Sequence, residues 1–109
     1  MPSGNVPIAQ RQAGVYFAFN FEQVTVAATA IGFTVAEYQS GDKKAQIAFL
    51  TVETADIRYT YDGTTPTSTI GHLLTDGSSL TLKGAHDIEN FRAIRTGAVS
   101  AVLSCTFEG

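Results

Sequence analysis

Apolar and polar residues alternate along the segment from Val99 to Phe107, and this period restricts the possible folds most strongly. The apolar side holds Val99, Ala101, Leu103, Cys105 and Phe107. The other side holds Ser100, Ser104 and Thr106, together with Val102, which is the one apolar residue on this polar side. Successive strand residues point to opposite faces, so a period of two predicts a strand with one buried face. The odd-numbered residues are predicted to face the core.

Other short segments with the composition of strands precede it and are separated by turn residues. In residues 15–21, Val15, Phe17, Phe19 and Phe21 fall on one side. Residues 23–30 and 31–38 are rich in β-branched side chains and are predicted as strands. Residues 45–53 form a nearly continuous apolar run, which predicts a central strand buried on both faces.

Two further patterns refine the prediction for the second half of the chain. Asp76-Gly77, between IGHLL and SLTLK, is typical of a hairpin turn. Ile88, Phe91 and Ile94 are three residues apart, which favours a short helical turn leading into a strand over a strand entered through a bulge. About eight or nine short strands predict an all-β antiparallel sandwich, immunoglobulin-like or jelly-roll-like, with a small barrel as the alternative.

The first 14 residues differ from the rest in having no periodic apolar pattern. Pro2, Gly4, Pro7 and Gly14 are spread through them. We interpret residues 1–14 as an extended N-terminal arm, with a frayed end as the alternative, and residues 15–109 as a single domain.

Composition excludes several classes of protein. The 109 residues are 44% hydrophobic, enough for a core, and only 16% charged, with net charge −3. No basic run suggests nucleic-acid binding, and no apolar stretch suggests a membrane span. One cysteine excludes an internal disulfide framework, and the N-terminal residues lack the pattern of a signal peptide. We therefore expect assembly in a reducing cytoplasm.

No arrangement of residues in the sequence indicates catalysis. His72 and His86 have no other ligand residue at metal-binding spacing, the carboxylates are scattered, and no phosphate-binding glycine motif occurs. Cys105 falls on the apolar side of its strand, unlike a nucleophilic cysteine. We expect no enzymatic activity, metal or cofactor, although a His–Asp pair formed by folding stays open.

The stretch IRYTYDGTTPT, residues 57–67, is the strongest local signal. Asp62, Gly63, Thr64 and Pro66 suit a structural turn, because Asp62 can accept from a nearby backbone amide and Gly63 allows positive φ. Tyr59 and Tyr61 beside these polar residues are candidates for a ligand or an interface, for instance by stacking on a sugar.

This stretch resembles the C-terminal immunoglobulin-like domain of chitobiase and related hexosaminidases, over about ten residues. That likeness implies a β-sandwich and no catalytic site.

A longer resemblance, over residues 45–108, is to small structural proteins of tailed-bacteriophage virions. Their pattern combines an R-Y-x-x-D-G-T-x-P-T-x-x-x-G-H-x-L block with an F-R-x-I strand and a terminal amphipathic strand. The residues that match the block are Arg58, Tyr59, Asp62, Gly63, Thr64, Pro66, Thr67, Gly71, His72 and Leu74.

The resemblance implies a non-enzymatic virion protein, assembled in the host bacterial cytoplasm. A capsid decoration or cement protein is expected first, with the major capsid protein or other virion proteins as partners and a homo-oligomer, preferably a trimer, as its state. The alternatives are a neck, tail or fibre component, and a carbohydrate-binding β-sandwich module.

Overall fold

A computed structural model describes residues 15–109 and shows an all-β, sandwich-like fold. The elements are β1 (Ala18–Val26), α1 (Val35–Tyr38), β2 (Gln39–Ser40), β3 (Lys43–Lys44), β4 (Ile47–Glu53), β5 (Ile57–Thr60), β6 (His72–Leu74), β7 (Ser79–Lys83), α2 (Ala85–Glu89), β8 (Arg92–Arg95) and β9 (Ala101–Glu108). The predicted N-terminal arm lies outside the described residues.

The strands form two main antiparallel sheets and one small hairpin. The larger sheet has the order β1-β9-β4-β7, and the smaller sheet has the order β6-β5-β8. Within residues 15–109, strands β2 and β3 pair only with each other, around the polar segment that contains Gly41. Both main sheets contribute side chains to one hydrophobic core.

The predicted facing of β9 is confirmed. Ala101, Leu103, Cys105 and Phe107 are at most 1% exposed. Val99 precedes the strand and is 57% exposed, so the buried alternation begins two residues later than predicted. The strand supplies one complete inner stripe of the larger sheet.

The prediction that residues 45–53 are buried on both faces is wrong in one respect. Strand β4 is central, between β9 and β7, but its side chains alternate between buried and exposed. Phe49 is 43% exposed on the side of the sheet away from the core, here called the outer face. An antiparallel sheet covered by a partner sheet on one side only leaves its second face open.

The structure also corrects the prediction for residues 27–38. The chain leaves the larger sheet after Val26, where β1 ends. Ile31 then forms an isolated bridge to Ala93 of β8. Residues 35–38 form the short helix α1, which buries Tyr38. β-Branched composition favoured strands here, but the chain must cross from one sheet toward the other, and tertiary packing overrides the propensity.

The phenylalanines predicted to fall on one side of the first strand do not share one environment, because Phe19 is partly buried and packs against the core. Phe17 and Phe21 are 73% and 58% exposed, whereas Val24 and Val26 are buried. The pairing of β1 with β9 is irregular between Ala18 and Asn20. The alternation of side chains between the two faces of the sheet is therefore not continuous across this point.

The Asp76-Gly77 turn forms, with Gly77 at φ 88°, but it is not a hairpin turn. Strand β6 before it belongs to the smaller sheet and β7 after it to the larger sheet, so the turn carries the chain across the sandwich. The prediction for residues 88–95 is confirmed, since the short helix α2 leads directly into β8. No helix within residues 15–109 is long and apolar enough to cross a membrane.

The loop between β4 and β5 contains an unusual backbone conformation at Thr54. Its φ of 84° is rare for a β-branched residue. The Thr54 amide donates to Oδ1 of Asp76 (3.0 Å), and the Asp76 amide donates to Oδ1 of Asp56 (2.7 Å). These two carboxylates tie the loop after β4 to the loop before β7 and hold the strained residue in place.

Replacement of Leu103 by alanine tests the buried stripe of β9. Leu103 is 1% exposed, so Leu103→Ala is expected to lower the free energy of unfolding by about 2–5 kcal/mol. Val102→Ala on the opposite face is the matched control and is expected to cost about 1 kcal/mol or less. The measurement is urea unfolding of both variants, and equal losses would contradict the assigned facing.

The thiol of Cys105 is expected to be inert in the native protein. Burial, with a smaller effect of the nearby Glu22 charge, raises the pKa of Cys105 from 9.0 to about 12, and the thiolate is the reactive form. Because the folded pKa is the higher one, the stability linked to this thiol is complete below pH 9.0 and is lost as pH rises toward about 12. Iodoacetamide at neutral pH should label only urea-unfolded protein, and rapid labelling without urea would overturn this placement.

Candidate functional site

Three aromatic side chains meet where β5 ends and β6 begins. Tyr59 lies directly opposite His72 in the strand pairing, and their ring centroids are 5.4 Å apart. Tyr61 follows β5 and stacks near both, at 6.3 Å from Tyr59 and 5.9 Å from His72. The planes of Tyr61 and its two neighbours differ by only 26° and 27°. We call these three side chains the ring cluster.

A column of phenylalanine rings connects the ring cluster to the core. Phe107 meets Phe33 edge-to-face at 5.3 Å, Phe33 stacks on Phe91 at 4.6 Å, and Phe91 stacks on Tyr59 at 5.9 Å. Phe91 and Phe107 are fully buried, so their rings have fixed neighbours on all sides. The position of Tyr59 is therefore set by the core, and only the outer end of the cluster is open to solvent.

A tight turn follows Tyr61. Oδ1 of Asp62 accepts from the Thr64 amide at 3.0 Å, and the Thr60 hydroxyl donates to the Thr64 carbonyl. Gly63 has a φ of 91°, and a Cβ there would lie 3.3 Å from Oδ1 of Asn90. The side chains of this segment thus satisfy its own backbone, as in other Asx turns. Asp62, Gly63 and Thr64 all occupy the positions that a structural turn requires.

The rest of the loop returns the chain to β6 and fixes His72. Pro66 is fully buried, and Nη1 of Arg58 donates to the Gly71 carbonyl at 3.2 Å. Gly71 has a φ of 126°, and a Cβ there would lie 3.0 Å from the Tyr59 carbonyl oxygen. Only glycine allows this close approach, which places His72 beside Tyr59. Pro66 is packed inside the loop and does not belong to the solvent-facing site.

Two shallow pockets border Tyr61. The first, which we call the ring pocket, has a volume of about 270 Å³ and is lined by Thr60, Tyr61, Asp62, Thr64 and His72. The second measures about 250 Å³ and is lined by Tyr59, Tyr61, Leu80, Thr81, Leu82, Lys83 and Asp87. Because Tyr61 lines both, the pockets are neighbours, and together they span the opening between the two sheets.

The electrostatics of the ring pocket are dominated by Asp62. Hydrogen bonds from Thr64, first from its backbone and then from its side chain, lower the pKa of Asp62, and nearby His72 lowers it slightly further. Asp62 is therefore a carboxylate at neutral pH. Burial, followed by the proximity of Tyr61, raises the pKa of Tyr59, so its hydroxyl stays protonated. The site presents flat apolar rings beside hydroxyl groups and one carboxylate.

Of the residues singled out in the sequence, the fold brings Tyr59, Tyr61, Asp62 and Thr64 together. Sequence reasoning missed His72 as a member of the site, since it is far from Tyr59 in the chain and meets it through strand register. It also missed Lys83 and Asp87, which come from the other side of the sandwich. No group of three or more His, Cys, Asp or Glu residues within residues 15–109 is arranged to hold a metal ion.

Comparisons with known proteins do not assign the chain to a group. No protein-family model matches the chain, nor does any curated protein or solved structure.

The turn after Tyr61 is tested at Gly63. Gly63→Ala is expected to lower the free energy of unfolding by at least about 1 kcal/mol, because an L-residue is disfavoured at this φ. Gly97 serves as the control, since its φ is ordinary and a Cβ there would contact nothing within 4 Å. Gly97→Ala should leave the melting temperature nearly unchanged. Equal melting temperatures for the two variants would contradict the role of Gly63.

Proposed function

We propose that the chain is a non-enzymatic structural protein of a tailed-bacteriophage virion, and that it decorates the outside of the capsid. The similarity of residues 45–108 to such proteins is the starting point of the proposal. The observation that supports it in the structure is the outer face of the larger sheet. This face carries large apolar side chains in register and suits contact with another protein.

The outer face has a continuous line of residues across all four strands. Phe21, Thr106, Phe49 and Thr81 follow one another in the strand pairing of β1, β9, β4 and β7. Phe21 is 58% exposed and Phe49 is 43% exposed. Two phenylalanines separated only by a threonine make a flat, apolar strip without charge, which is the composition found at the centre of protein interfaces.

The edges of the larger sheet support association as well. Among the described strands, β1 and β7 each pair on one side only. An unpaired strand edge offers backbone donors and acceptors to a neighbouring chain, and assembly is one way to cover it. A cyclic oligomer of this chain closes on itself, and a trimer matches a threefold axis of a capsid shell. The neck, tail or fibre of the virion is the alternative location.

Charge placed on the outer face is expected to prevent association. Phe49→Asp and Phe21→Asp should each weaken self-association about tenfold or more, because they bury a charge in an apolar contact. Leu73→Asp is the matched control, since Leu73 is 49% exposed on the smaller sheet. The measurement is the concentration-dependent mass by light scattering, with about three times 11.6 kDa expected for the trimer. A monomer at all concentrations would contradict the oligomer.

A second measurement separates the locations within the virion. Particles of the phage that encodes the chain are divided into heads and tails, and the chain is counted in each by mass spectrometry. Many copies in the head fraction, removed by Phe49→Asp but not by Leu73→Asp, are expected. Copies in the tail fraction alone would favour the neck, tail or fibre alternative and overturn decoration, and absence from both fractions would overturn the virion proposal.

A further inference from the structure

We propose that the ring pocket binds a neutral oligosaccharide built from pyranose rings with equatorial hydroxyls, through Tyr61, His72 and Asp62. This function is separate from assembly, because the ring pocket is lined by β5, β6 and the loop between them, whereas Phe21 and Phe49 lie on the outer face of the larger sheet. Each can fail without the other.

The ring cluster has a shape that suits a sugar ring. Tyr61 is 41% exposed, and its ring plane lies within 27° of the planes of both Tyr59 and His72. The rings of Tyr59 and His72 are tilted by 43° to each other, so Tyr61 supplies the aromatic plane that a ligand can reach. The faces of aromatic rings carry negative partial charge and attract polarised C–H groups. A pyranose with equatorial hydroxyls has a flat face made of axial C–H groups, which matches such a plane.

Polar groups beside the rings can bind sugar hydroxyls. The Asp62 carboxylate accepts from Thr64 in the turn, through Oδ1 from the backbone amide. A carboxylate has about four acceptor positions, so some of them stay available to a further donor. Thr64 and the imidazole of His72 line the same pocket. Sugar hydroxyls both donate and accept, so a carboxylate, a hydroxyl and an imidazole around one apolar plane satisfy them from several directions. A few polar groups around an apolar surface are the usual composition of a ligand site.

The side chains of this site are held in place before a ligand binds. Tyr59 is anchored by the column of Phe91, Phe33 and Phe107, and Asp62 is fixed by the Thr64 amide. A site whose side chains are already ordered loses little conformational entropy on binding. An ordered turn and a stacked tyrosine are therefore suited to weak, specific recognition of a polar ligand.

Other ligand classes fit the site less well. An acidic sugar or a phosphate would meet the Asp62 carboxylate and a chain of net charge −3. A quaternary ammonium prefers rings arranged around it as a cage, whereas the plane of Tyr61 lies within 27° of the planes of both neighbouring rings. Nor does a pocket of about 270 Å³ enclose a drug-sized molecule, for which roughly 300–1,000 Å³ is typical. An oligosaccharide can fill both pockets, with one sugar ring in the ring pocket and a second in the neighbouring pocket beside Tyr59, Lys83 and Asp87.

The test is an amide-resolved NMR titration of the full chain with neutral oligosaccharides. The probes are cellotetraose, maltotetraose and tetra-N-acetylchitotetraose, and the comparison ligands are sialyllactose and choline. At least one neutral probe is expected to shift amides of residues 59–64 and His72, and the comparison ligands are not. No shift with any neutral probe at about 10 mM, a concentration that detects even millimolar affinity, would overturn the proposal. Shifts with choline or sialyllactose alone would overturn it too.

Three variants distinguish recognition from loss of structure. Tyr61→Ala is expected to weaken binding at least tenfold, and Tyr61→Phe, which keeps the ring, should retain most of it. Asp62→Asn keeps an oxygen for the Thr64 amide and removes the charge, so it should weaken binding while the melting temperature is preserved. Phe17→Ala removes an exposed ring outside both pockets and should have no effect. Binding unchanged in Tyr61→Ala would place the sugar elsewhere and reject this site.

Discussion

The pairing of β9 with two neighbours at once is the constraint on which the sandwich depends. This strand lies between β1 and β4 and pairs with both along its length. Its inner residues, from Ala101 to Phe107, are fully removed from water and face the smaller sheet. These four side chains make β9 the strand that contributes most buried residues to the core. Hydrophobic burial along one strand thus sets the arrangement of both sheets.

The same strand influences the candidate site through its last buried ring. Phe107 begins the column that passes through Phe33 and Phe91 to Tyr59, so the aromatic residues run from the centre of the core to the surface. Along this column the rings change from fully buried to partly exposed, while each ring stays in contact with the next. The surface tyrosines therefore share the rigidity of the core, in contrast to residues on an unsupported loop.

Sequence reasoning succeeded where one physical rule decided the outcome. Alternation in residues 99–107 predicted the buried side because a strand with one covered face must alternate, and the glycine and aspartate of the DGTT segment predicted its turn. It failed where the outcome depends on which distant segments of the chain pack against a residue. The apolar run in residues 45–53 gives no sign that Phe49 stays uncovered, and the β-branched residues before Val35 give none that the chain leaves the sheet there. Likewise, Tyr59 and Tyr61 are near each other in sequence, but His72 lies beside them only because β6 pairs with β5 in a particular register. Lys83 reaches the site only because β7 of the larger sheet packs nearby.

The turn at Asp76-Gly77 has a consequence for the order in which the protein can form. Since β6 and β7 belong to different sheets, this short connection creates no local pair, and the pairs that build the larger sheet join distant segments such as Val26 and Ala101. Closing such long loops costs chain entropy before burial compensates it. Folding is therefore expected on the slow scale of β-rich domains, roughly milliseconds to seconds. During synthesis, β1 and β4 cannot pair with β9 until Ala101–Glu108 has been made. In that interval their apolar residues are exposed to other chains.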